Sequence, residues 1–220
     1  MESEAAPGSA SQLDPTNLYG ESDVATIKQA LINEQVCPEL LQYQEDLVNR
    51  LESQISHQEA IIKDLNEDPE QDLLRMIYTV ELQRIKYSLR CYLRARLKKL
   101  EQHVMHCLDD PNMKDRLSDK EVKYAEDYFL LLGQHISTNV LSAMPQDFKG
   151  LLRQSSVSEA NDTLARPNLD KHVFCRVLED QGSVEVDEQG ETVDFSKDDL
   201  YVVRYRPIQD LVRDSWVQLI

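Results

Sequence analysis

The sequence predicts a mainly α protein, an elongated helical bundle followed by a small antiparallel β-rich domain at the C-terminus. Three observations carry this expectation. Apolar residues recur at steps of three, four and seven from Val24 to Val140, the repeat of one helix face. Beyond residue 168 the repeat shortens to alternate positions, the period of a strand. The chain has 220 residues, 41 % hydrophobic and 29 % charged. That length buries roughly 70 to 75 % of the unfolded surface, so the core needs no disulfide or metal. The expected organisation is a disordered acidic tail over 1–21, a helical domain over 22–149, a linker over 150–167 and a β-rich domain over 168–220.

Taken in order, residues 1–21 are rich in Ser, Ala, Gly, Pro and Glu and show no apolar period, so they read as a tail that cannot offset the entropy of ordering. They lack the basic and apolar regions of a secretory signal, and the protein is expected to stay inside the cell. Ser22 is a suitable N-cap for a first helix carrying Val24, Ile27, Ala30 and Leu31. It should end near Gln35, because Pro38 disfavours helix at the residue before it. Pro38 is expected to open a second helix, with a stripe from Leu40 and Leu41 through Leu47, Leu51 and Ile55 to Leu65. Asp68-Pro69 is a further start signal, an N-cap followed by proline. The third helix keeps its stripe from Leu74 to Val104, about 32 residues or about 48 Å at 1.5 Å per residue. A compact chain of this length has a radius of gyration of about 17 Å. An elongated bundle or a shared interface follows.

Asp109-Asp110-Pro111-Asn112 breaks the pattern. Ser118 and Glu121 then form a capping box, in which hydroxyl and carboxylate satisfy each other's orphan amides. They start a fourth helix running to about Met144. It has two apolar stripes, one through Val122, Ala125, Phe129 and Leu132 and one through Tyr124, Tyr128 and Leu131, so it needs two neighbours to cover it. Short strands follow at 172–177, 183–186, 192–195 and 200–205, punctuated by Gly182 and Gly190. Pro207 to Arg213 fits a helical turn or two. The apolar ending Trp216 to Ile220 would fray unless it docked as a strand.

Forty acidic residues against 24 basic give a net charge of −16. That field argues against an autonomous duplex-DNA binder. The charge is uneven. Residues 1–71 carry 15 acidic and 3 basic side chains, while 72–106 carry 3 acidic and 8 basic. The longest apolar run is five residues, Tyr128 to Leu132, against about 20 for a membrane-spanning helix. The four cysteines are widely spaced and read as buried small hydrophobes in a reducing compartment. No phosphate loop, nucleophile elbow or HExxH motif is present. His103, His106 and Cys107 share a helix face without a fourth ligand, and no acid/base pair stands out from the acidic background. Neither a metal, a cofactor nor catalysis is expected.

On the third helix Lys86, Arg90, Arg94 and Lys98 form a stripe at spacing four, while Arg96 falls inside the apolar arc of Leu82, Ile85, Leu89, Tyr92 and Leu93. A solvated face, pairing with a partner's carboxylates and nucleic-acid contact are all open for the stripe. An arginine in an apolar arc must meet carboxylates or carbonyls, and Glu81, Glu101 or a partner's acid are the options.

The run from Glu81 to Glu101, the stretch from Asn33-Glu34-Gln35 through Pro38-Glu39-Leu40-Leu41, and the ending Val217-Gln218-Leu219-Ile220 resemble the SLD-five family of GINS subunits. The resemblance spans about residue 22 to 220. It implies a helical A domain followed by a β-rich B domain. It implies a non-catalytic scaffold in a nuclear heterotetramer, with sister subunits of the PSF-one, PSF-two and PSF-three types. Through that assembly it implies the MCM ring and the Cdc-forty-five protein of the replicative CMG helicase as partners. Replicative polymerase factors are possible further ones, with no membrane contact and at most weak contact with DNA. Under this resemblance Tyr87, Tyr92, Leu93 and Leu97 become packing anchors between subunits, and Arg84, Arg94 and Arg96 make charge-assisted contacts across that interface. Trp216, Leu219 and Ile220 dock the C-terminus, and Phe174, Val177, Val203 and Tyr205 form the B-domain core. The competing expectation is an autonomous metal-dependent or nucleic-acid-processing enzyme. A homomeric coiled coil is disfavoured by the prolines at 38, 69, 111 and 145.

Overall fold

A computed structural model describes residues 21–65, 71–145, 165–186 and 192–220. All of the expected tail over 1–21 except Glu21, which opens the first helix, the Asp68-Pro69 start signal, the Gly190 turn and nearly all of the 150–167 linker lie outside them. The helical part comprises α1 (Glu21–Val36), α2 (Glu45–Leu65), α3 (Asp72–Gln102), two short helices α4 (Val104–Asp109) and α5 (Pro111–Lys114), and α6 (Asp119–Asn139). A 3-10 turn, Leu141–Ala143, follows α6. The β-rich part holds β1 (His172–Val177), β2 (Gly182–Glu185), β3 (Thr192–Phe195), β4 (Leu200–Arg204), α7 (Tyr205–Arg213) and β5 (Val217–Leu219).

Helix α3 is the spine. Its middle packs against α1 and α2 through Ile27, Leu47, Leu51, Ile85, Leu89 and Tyr92. Its C-terminal turns join a second core with α4 to α6, built on Leu100, Val104, Cys107, Met113 and Ala125. The capping box forms as expected. The Ser118 hydroxyl accepts from the Glu121 amide at 3.3 Å, and the Glu121 carboxylate accepts from the Ser118 amide at 3.0 Å. The break at 109–112 holds two helical pieces rather than a loop, because the Asp110 side chain caps the amide of Asn112 and Pro111 starts the next turn.

One boundary differs in a way that matters. Pro38 does not open the second helix; residues 37–44 run without helix and α2 begins at Glu45. Leu40 therefore leaves the α2 stripe and enters the core of α4 to α6, while Cys37 enters the core of the β-rich part. The connector spans two cores, so its non-helical backbone can offer carbonyls to side chains on other elements.

The three-stranded sheet has the order β4-β1-β5, and β2 pairs with β3 in a second, two-stranded sheet. All pairings are antiparallel. Strand β1 alternates strictly, burying Val173, Cys175 and Val177 and exposing His172, Phe174 and Arg176. Phe174 is thus not a core residue. It has the opposite parity to Val177 and stands 62 % exposed. Val177, Val203 and Tyr205 are buried as expected, with Ile208, Val217 and Leu219 beside them. The C-terminal segment docks as strand β5 against β1, with Cys175 opposite Leu219 and Val177 opposite Val217.

Candidate subunit-interface surfaces and the lock that positions them

At the centre of the helical part lies Arg96, with no solvent exposure. Nε donates to Glu121 Oε1 at 2.8 Å and Nη2 to Glu121 Oε2 at 3.0 Å, a two-pronged contact. Nη1 donates to Glu34 Oε2 at 3.2 Å and to the Leu41 carbonyl at 2.7 Å. The remaining Nη2 hydrogen reaches the Arg116 carbonyl at 3.0 Å. All five guanidinium donors are therefore used. The ring of Tyr43 lies 5.2 Å and that of Tyr92 5.8 Å from the guanidinium carbon, close enough for cation–π attraction. Burial works against the charge, but the Glu121 hydrogen bonds and the Glu34 carboxylate overcome it and hold the arginine more firmly protonated than usual.

The network extends in both directions. Lys99 Nζ donates to Glu34 Oε1 at 2.9 Å and to the Glu39 carbonyl at 2.7 Å. The Glu39 carboxylate accepts from Arg116 Nη1 at 2.8 Å, from Tyr205 Oη at 2.7 Å and from Gln209 Nε2 at 2.8 Å. Two of these donors belong to α7, so Glu39 joins the β-rich part to the helices. Burial raises the Tyr205 phenol, and the neighbouring Cys37 and Glu39 add to the shift. On α1, Asn33 Oδ1 accepts from the Leu219 amide at 3.0 Å while Gln29 Nε2 donates to the Leu219 carbonyl at 2.9 Å. Strand β5 is thus bonded to β1 and also held by two side chains of α1.

The residues singled out from sequence separate into two groups. Tyr92, Arg96 and Leu219 are buried within the chain at 1 %, 0 % and 1 % exposure, so they cannot touch a sister subunit across a surface. Arg96 also finds neither Glu81 nor Glu101. Glu81 pairs with Arg84 at 2.8 Å on the same helix, and Glu101 accepts from Tyr124 at 2.6 Å. Leu93 and Leu97 are half-buried against the two helical cores. Arg84, Tyr87, Arg94, Trp216 and Ile220 are exposed. The Trp216 amide donates to the Leu211 carbonyl, and its carbonyl accepts from the Leu178 amide.

Two apolar surfaces emerge that the periodicity did not isolate. From Leu73 to Tyr87, α3 exposes Leu73, Met76, Ile77, Val80 and Tyr87. On the outer face of the three-stranded sheet, Val202 stands opposite Phe174 in the register, and the Ile220 amide donates to the Phe174 carbonyl at 3.1 Å. These three exposed residues form one row across the sheet. Helix α6 adds Tyr124 and Leu131 from the second stripe expected to need a neighbour, with Leu130, which neither stripe contains, exposed as well.

Residues 50–138 match the model of the GINS complex protein helical bundle domain, and residues 167–220 match that of the DNA replication complex GINS protein SLD5 C-terminus. The DNA replication complex GINS protein SLD5 of Arabidopsis thaliana is 35 % identical over 210 residues, covering 94 % of this chain and 95 % of the relative. The chain belongs to the SLD5 family of GINS proteins. The proteins of the same name from Dictyostelium discoideum and Homo sapiens are each 30 % identical, covering 88 % and 90 % of this chain and 90 % and 88 % of their own lengths. The two family models leave out residues 21–49, and the structure ties that stretch to both matched regions. Glu34 binds Arg96 of the helical bundle, while Asn33 and Glu39 bind Leu219 and Tyr205 of the SLD5 C-terminus. The three segments that carry the resemblance in sequence meet in space.

Proposed function

We propose that this SLD5-family chain is a non-catalytic scaffold subunit of the GINS heterotetramer. It acts in the nucleus with PSF-one, PSF-two and PSF-three type sisters, and through the assembly with the MCM ring and the Cdc-forty-five protein of the CMG helicase. The observation that carries this reading is the exposed apolar face of α3 from Leu73 to Val80, four large side chains between 51 % and 72 % exposed. A contiguous face of this kind marks an interaction surface. Arg84 and Tyr87 continue it, and the Phe174, Val202 and Ile220 row with Trp216 provides a second. No described helix is long and apolar enough to cross a membrane.

Expressed alone, the chain should bind a hydrophobic dye and self-associate. Coexpressed with its three sisters, it should elute as a single heterotetramer with the dye signal lost. A monodisperse, dye-silent monomer that ignores the sisters would overturn the reading.

A further inference from the structure

A groove between α3 and the start of β1 is lined by Arg94, Lys98 and Lys99 from the helix, Lys171 from the segment entering the strand, and Pro38 and Glu34 from the α1 side. We propose that this groove receives an acidic segment of a partner protein, at a site separate from the apolar faces.

The charge pattern is the first argument. Glu34 is the only carboxylate among the described residues that line the groove, and it is consumed by Arg96 and Lys99. Arg94, Lys98 and Lys171 are exposed and make no ion pair among the described residues. Several cations elsewhere do pair with acids, Arg84 with Glu81, Lys86 with Glu59, Arg116 with Glu39 and Arg206 with Asp170; what sets Arg94, Lys98 and Lys171 apart is that they share one concavity. In a chain with 40 acidic side chains and 24 basic, three cations gathered around one concavity and left without an acid are a site awaiting one.

Geometry is the second. Arg94 and Lys98 are four apart and share a face of α3, while Lys171 approaches from the β-rich part. Glu39, Asn33 and Gln29 bond the two parts that flank the groove, and Cys37 packs into the β-rich core beside it. A concavity open along a helix fits an extended segment whose carboxylates alternate between the arginine fork and the two ammonium groups.

The same cations could in principle meet a phosphate backbone, but the net charge of −16 repels a polyanion at long range. Three unpaired cations also give a phosphate ladder little to grip. A short acidic protein segment, held close by a partner already bound elsewhere, meets less of that repulsion.

The test is a fluorescence titration on the full chain coexpressed with its sisters. The probes are a labelled ten-residue peptide alternating Glu with Gly and Ser, and a labelled ten-nucleotide oligothymidylate. Reversal of Arg94→Glu, Lys98→Glu and Lys171→Glu together should weaken peptide binding at least tenfold at low salt. Reversal of the exposed Lys114, Lys123 and Lys197 to Glu makes the same change in net charge away from the groove and should weaken it less than twofold. Equal loss in both variants, no peptide binding at all, or oligonucleotide binding as tight as the peptide's and equally lost on groove reversal would each overturn the proposal. Failure of the unaltered chain to assemble would sink the scaffold reading alone, and the same titration on the isolated full chain would still decide the groove.

Discussion

From Ser88 onward one face of α3 is enclosed by its own chain, with Tyr92, Arg96 and Leu100 at 1 %, 0 % and 1 % exposure, whereas nearer its start Leu73, Met76, Ile77 and Val80 stand in solvent. One helix thus buries a charge at one end and exposes hydrocarbon at the other, the reverse of what each chemistry prefers alone. A buried guanidinium is tolerable only with its donors satisfied, and Arg96 achieves this from α1, the 37–44 connector, the turn at 116 and α6. Those four attachments fix where the helices lie. At the other end Leu73, Met76, Ile77 and Val80 are exposed among the described residues and present their hydrocarbon outward. The enclosed half sets the geometry, and the open half presents it.

Breaking the enclosed half should have the largest effect. Arg96→Met leaves Glu34 and Glu121 as buried carboxylates without their arginine and should cost about 3 to 5 kcal/mol. For a chain of this size that lowers the melting temperature by roughly 10 °C. Adding Glu34→Gln and Glu121→Gln should recover part of the loss, since the orphaned charges go too. A melt unchanged by Arg96→Met would mean the network is not holding the helices. In the open half, Met76→Glu with Val80→Glu should behave in the opposite way. The isolated chain's stability should move by less than about 0.5 kcal/mol, while affinity for the sisters falls at least 100-fold, about 2.7 kcal/mol. An equal loss of chain stability would show that this face is already packed in solution.

Periodicity made most of the fold legible. The capping box at Ser118, the strand alternation and the docking of the last residues follow from local rules that the structure obeys. Arg96 was legible as inward-facing, because its angle on the helix is fixed by sequence alone. Its partners were not. Glu34 is 62 residues away and Glu121 25 residues away, and no local pattern encodes a contact at that separation. The misplaced start of α2 has the same origin: Leu40 and Leu41 continue a helical spacing numerically, but tertiary packing draws Leu40 to the α4 to α6 core and spends the Leu41 carbonyl on Arg96. The resemblance places Phe174 in the β-rich core, and strand parity overrules that, since Val173, Cys175 and Val177 already occupy the inner face.

The junction between the two parts should respond less than the helix. Asn33→Ala removes the acceptor of the Leu219 amide, and one lost hydrogen bond of this kind is worth about 1 kcal/mol. Because β5 keeps its pairing with β1, the loss should appear locally, as faster hydrogen exchange at Leu219 with little change at Ile85 or Leu89. Uniform acceleration across α3 would mean that strand docking and helix packing form one cooperative unit, and the contrast between the two halves of α3 would not extend to the junction.

The smallest effect is a pH dependence confined to the enclosed side. Burial lifts the Cys107 thiol from 9.0 to about 11, with Arg116 and Arg96 partly opposing the rise. A raised folded value keeps the thiol neutral while the unfolded chain ionises. Its contribution to stability is therefore complete only well below the unfolded value of 9.0, begins to fall as pH nears 9 and declines further as pH climbs toward 11. Between pH 8 and pH 9 the loss from this single site amounts to about 0.4 kcal/mol by proton linkage. Comparing Cys107→Val with the unaltered chain by denaturant melts at both pH values isolates it, because the valine variant lacks this titration and should lose correspondingly less stability over that interval. Identical losses would place the thiol in contact with water and open the core around Leu100 and Val104.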